Sequence, residues 1–72
     1  MSSILDARER ATLKGAHYAR NNWIGCDTAA AHWLHSGEES AVICVAVLGA
    51  MTAESAFVRG YQAERAKGRR GP

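Results

Sequence analysis

Proline is missing from almost the whole of this 72-residue chain and occurs only as Pro72, so no pyrrolidine ring breaks a helical hydrogen-bond ladder before the last residue. Cysteine is nearly missing as well. Cys26 and Cys44 are the only two, too few for the disulfide framework that supports many chains this short. A long hydrophobic run is lacking: the apolar stretch 41–51, AVICVAVLGAM, falls short of the roughly 20 residues a bilayer requires. Extending it toward Val58 takes in Thr52, Glu54 and Ser55, and a glutamate is costly at membrane depth. Charge of one sign is also lacking, with 9 Lys and Arg against 7 Asp and Glu and a net charge of +2. Only the end is lopsided: Arg65, Lys67, Arg69 and Arg70 form a basic cluster that suits either phosphate contact or a solvated tail. Catalytic signatures are absent too. There is no glycine-rich phosphate loop, Ser-x-x-Lys or His-Glu-x-x-His, and no Cys-x-x-Cys or His-x-x-x-His. The expectation is a protein that is not an enzyme and carries no cofactor and no metal.

A chain of this length makes one domain, and a core this small supplies only about 3–5 kcal/mol unless it is stapled or oligomeric. With disulfides excluded, oligomerisation is the remaining source of stability. The opening MSSILDARER places acids and bases where a secretory leader needs apolar residues. We therefore expect a cytoplasmic protein with reduced thiols, in a bacterial host cell given the Ala, Arg and Gly content.

The remaining chain reads as helix. Ser3 and Asp6 suit a helix start. Two sets at heptad spacing, Leu5, Thr12, Ala19, Cys26 and Trp33 with Ala16, Trp23 and Ala30, fall on one helical face. Gly15, Gly25 and Asn21-Asn22 weaken that helix. It runs from 3 to 35 in one piece, or breaks near Asn22–Gly25 and restarts with Asp27 as cap; we take the continuous form. Ser36-Gly37 is the clearest punctuation: Gly37 suits the left-handed end of one helix, and Ser36 with Glu39 forms a capping box for the next. A second helix over 38–66 carries a stripe of Ile43, Ala46, Val47, Ala50, Ala53, Phe57, Gly60 and Tyr61. Val42, Val45, Leu48 and Gly49 give its first half another apolar face. The predicted fold is all-α, an antiparallel helical hairpin (3–35 and 38–66) with 67–72 as a basic disordered tail. Apolar on more sides than one neighbour covers, it should dimerise into a four-helix arrangement through Val42, Val45, Leu48 and Gly49.

Cys26, His32 and His35, with His17 or Cys44, are the metal-type residues, but their spacing on a helix does not converge. Cys44 lies in the apolar stretch, where a thiol is inert. In the broken form, residues 16–35 resemble a helix-turn-helix. Its recognition helix, DTAAAHWLH, has no Arg or Lys to offer DNA, although Arg20, Asn21 and Asn22 precede it. Tyr18, Arg20, Trp23, Ile24 and Tyr61 are candidate anchors for a protein partner.

A small Ala- and Arg-rich helical hairpin without an enzyme motif resembles the host-takeover proteins of phages that infect high-GC bacteria, among them quorum-sensing anti-activators and anti-CRISPR proteins. The resemblance spans the whole chain in length and layout and rests on no motif, so no residue role is carried over from it. It implies a homodimeric inhibitor that sequesters a host protein such as a transcriptional regulator. The alternative reading is a small helix-turn-helix DNA-binding regulator using residues 16–35. No membrane role is expected.

Overall fold

A computed structural model describes residues 3–68 and contains four helices: α1 (Ser3–Arg20), α2 (Cys26–Leu34), α3 (Glu39–Leu48) and α4 (Ala50–Gly68). The described residues are all helix and connecting turns, which agrees with the all-α expectation. The two long helices expected from the sequence are each broken in two. Lys67, expected in the tail, is the penultimate residue of α4, and 69–72 lie outside the described residues.

The first break is made by Asn22, whose φ of 62° is the left-handed conformation. Its N–H bonds the Ala19 carbonyl, and the next N–H, of Trp23, reaches back to the Tyr18 carbonyl. This is the Schellman pairing that closes helices, with asparagine in the position glycine usually takes. Gly25, at φ 81° and ψ 128°, then caps α2, so the helix restarts at Cys26 rather than after Asp27. Gly37 is left-handed as expected, at φ 78°. The predicted capping box does not form in its usual way. Ser36 donates to the Trp33 carbonyl and accepts the Glu38 N–H, so α3 starts from Glu38.

The second break falls at Gly49, with φ 86° and ψ 155°, a region essentially reserved for glycine. It turns the chain by 120° between α3 and α4. The predicted antiparallel hairpin is therefore corrected. Lys14 pairs with Glu38 while Ala7 meets Cys44, so α3 runs antiparallel to α1. Arg8 and Thr12 share a pocket with residues from Thr52 to Arg59, and Arg20 pairs with Glu64, so α4 runs parallel to α1.

Small residues bring α1 and α4 together. Ala7, Ala11, Gly15 and Ala19, spaced four apart on α1, are buried. A Cβ on Gly15 would collide with the Phe57 carbonyl, and one on Gly60 with the Thr12 carbonyl. The two backbones thus approach closely where each helix places a glycine against the other's main chain. Aromatic residues fill the space beside it. Trp33 of α2 stacks on Phe57 of α4 at 5.1 Å, and Tyr18 meets Phe57 edge-on at 5.2 Å. Trp33 and Phe57 are wholly buried, and each such side chain contributes about 1.5–3 kcal/mol.

Candidate functional site

The candidate site is the outer face of α3. Its sequence, ESAVICVAVL, is apolar on every side after the first two residues. One side packs inward: Ala41 and Cys44 are buried, and Val45 and Leu48 rest against the core. The Cys44 thiol donates to the Ala7 carbonyl at 3.3 Å, and burial pushes its pKa up, so it is held as a neutral core group. The other side, Val42, Ile43, Ala46 and Val47, faces outward. Val42 is 60% exposed, Ile43 39% and Val47 38%, with Met51 beyond the bend at 82%.

This corrects the stripe read from the sequence. Ala53, Phe57, Gly60 and Tyr61 are buried as expected, but Ile43, Ala46, Val47 and Ala50 are exposed. The bend at Gly49 resets the helical phase, so a periodicity carried across it points to the wrong side of α3. Of the four residues expected at a dimer interface, Val42 and Gly49 are exposed, while Val45 and Leu48 are half-buried under the chain's own core.

The expected partner anchors divide in the same way. Tyr18 is buried, with its hydroxyl 3.1 Å from His32 Nδ1, and burial is the main reason its pKa is raised. Tyr61 is buried, donates to the Trp23 carbonyl and accepts a bond from Arg65 at 2.9 Å. Both are core residues, because the turn at 21–25 folds back onto the helices. Trp23 is half-buried, sandwiched near Tyr18 and His32. Arg20 is exposed and held by Glu64. Of these five, Ile24 is the exposed apolar residue, at 86%.

Among the described residues, no three His, Cys, Asp or Glu side chains converge as a metal site would require. No single described helix is long and apolar enough to cross a membrane; α3 and α4 reach that threshold only together, across their 120° bend. The broken helix needed for a helix-turn-helix is present, yet α2 buries Ala29, Ala30 and Trp33 and exposes Asp27, Thr28, Ala31 and His32, with His35 exposed at its C-cap and no Arg or Lys for base edges or phosphates. No protein-family model, curated protein or solved structure matches the chain.

A polar chain of bonds fixes α3 in place. Trp33 Nε1 donates to Ser40 Oγ, which donates to Glu38, and Glu38 pairs with Lys14. The Lys14 hydrogen bond is the largest of the effects that hold the Glu38 pKa below its ordinary value. Three helices are tied at this point, and the outer face of α3 is presented on a fixed support.

Proposed function

We propose that this chain is a small non-enzymatic protein-binding module that docks through the outer face of α3, with a second copy of itself as its first partner. The observation that carries this reading is the row Val42, Ile43, Ala46 and Val47, exposed on a helix whose other side is already buried. An apolar face without charge on a rigid helix is characteristic of a surface that another helix covers. Sequestration of a bacterial host protein, such as a transcriptional regulator, is the use implied by the resemblance to phage proteins.

Light scattering tests the homodimer. The protein at micromolar concentration should have twice the chain mass, and Val42→Asp should halve it without loss of helical circular dichroism. A well-folded monomer across the same concentration range would overturn it. The DNA reading, favoured only by the break between α1 and α2, requires salt-dependent duplex binding that weakens on Arg20→Gln.

A further inference from the structure

Between α1 and α4 lies a second feature that docking through α3 does not use. A pocket of about 180 Å³ is lined by Arg8, Thr12, Thr52, Ser55, Ala56 and Arg59. No acidic residue lines it. Lys14 and Arg20 each hold a carboxylate, as does Lys67, and Arg65 donates to Tyr61. No ion pair is formed by Arg8 or Arg59 among the described residues. Sequence spacing accounts for this. The positions three and four away from Arg8 are Ile4, Leu5, Ala11 and Thr12, and those around Arg59 are Ser55, Ala56, Gln62 and Ala63. A helical ion pair needs an acid at one of those positions, and none is there.

We propose that this pocket binds a phosphate group, as free phosphate or as a small phosphomonoester. Arg8 from α1 and Arg59 from α4 line the same pocket, and guanidinium forks match phosphate oxygens in charge and geometry. Thr52 and Ser55 add hydroxyl donors. The Thr12 hydroxyl is already donated to the Arg8 carbonyl at 2.8 Å, one turn back in the same helix. The pocket adjoins a close backbone approach, because Thr12, which lines it, has its carbonyl where a Cβ on Gly60 would sit. The small volume favours a single phosphate over a nucleic-acid strand, and there is no aromatic in the lining on which a base could stack.

The test is titration of the ¹⁵N-labelled full chain with inorganic phosphate and with glycerophosphate, against sodium chloride at matched ionic strength. Amide shifts should cluster at Arg8, Thr12, Thr52, Ser55 and Arg59 and saturate. Affinity should rise from pH 5.5 to pH 8 as the bound group passes from monoanion to dianion, at about pH 6 for the ester and about one unit higher for inorganic phosphate. Arg59→Gln and Arg8→Gln should each weaken binding about tenfold, whereas Arg10→Gln should leave it unchanged. Circular dichroism of each variant establishes that it is folded. Saturation by inorganic phosphate alone identifies the free ion, and stronger saturation by glycerophosphate identifies the ester. Shifts equal to those from chloride, shifts spread over every basic residue, or binding retained in a folded Arg8→Gln/Arg59→Gln variant would each overturn the site. A duplex that binds through these residues while phosphate does not compete would overturn the small-ligand assignment.

Discussion

Gly15 and Gly60 look like weak points in a sequence, since each costs a free helix about 1 kcal/mol relative to alanine. In the fold they are where α1 and α4 touch backbone to backbone, and an added methyl would meet a carbonyl on the opposite helix. Gly60→Ala should therefore destabilise the protein by about 2 kcal/mol, typical of an overpacked site, despite alanine's better propensity; urea denaturation measures it. An unchanged or higher midpoint would show that the helices can separate at no cost. The Ala7–Ala11–Gly15–Ala19 row was in plain view, but small residues four apart give a faint hydrophobic signal; of the heptad set, Ala19, Ala30 and Trp33 are buried as expected while Leu5 is exposed. Glu38 carries a second residue-scale prediction. Its folded pKa lies below the ordinary 4.5 chiefly because of Lys14, so its contribution is present above about pH 4.5 and is lost as pH falls through the lowered value. Its side chain is 37% exposed, which limits that contribution to about 0.5 kcal/mol. Glu38→Gln should be less stable than the parent at pH 7, and the difference should vanish near pH 3, as read from paired denaturation curves.

At the scale of elements, the two breaks decide the architecture, and their legibility differed. Asn21-Asn22 followed by Gly25 was recognisable as a weak point, yet the choice between a continuous and a broken helix depended on long-range contacts: Tyr61 reaching the Trp23 carbonyl, and Trp23 packing near Tyr18 and His32. Gly49 was harder. It sits inside an apolar run without polar punctuation, and nothing local distinguishes a glycine that bends the chain by 120° from one tolerated inside a helix. The all-α class, the Gly37 turn and the Ala53–Phe57–Tyr61 face were legible because each rests on local periodicity. The parallel pairing of α1 and α4 was not, because it follows from both breaks together. Gly49→Ala should cost about 1–3 kcal/mol, since its φ of 86° lies where a Cβ is strained. No neighbouring atom would meet that Cβ, so the loss would report backbone strain alone; an undiminished melting temperature would mean that α3 and α4 can join in another way. Tyr61→Phe should cost about 1–2 kcal/mol by leaving the Trp23 carbonyl without its donor. Amide exchange should accelerate mainly in 21–25, and uniform acceleration across α1 and α4 would contradict a local staple.

At the scale of the whole molecule, the two sides of α3 differ in burial, and adjacent residues separate them. Leu48 rests on the chain's own core, and Val47, one position earlier, faces outward at 38% exposure. An aspartate at 48 places a charge at a half-buried position on the side of α3 that packs against the core, and desolvating a charge without a partner is costly for a small domain. An aspartate at 47 places the same charge on a surface that is open to solvent in the free chain. If the outer face is where two copies meet, Val47→Asp should give a folded monomer with intact circular dichroism and a single-chain mass by light scattering, while Leu48→Asp should lose helical signal at any concentration. The same comparison discriminates against the quartet read from the sequence. An interface formed through Val45 and Leu48 would require α3 to leave the core, and dimerisation would then expose Cys44, which is wholly buried in the free chain. Thiol labelling of Cys44 decides between the two. Docking through Val42 and Val47 should leave its reaction with a bulky maleimide as slow in the dimer as in the Val47→Asp monomer. Faster labelling in the dimer would show that the helix turns over on association and would remove the outer face from the interface.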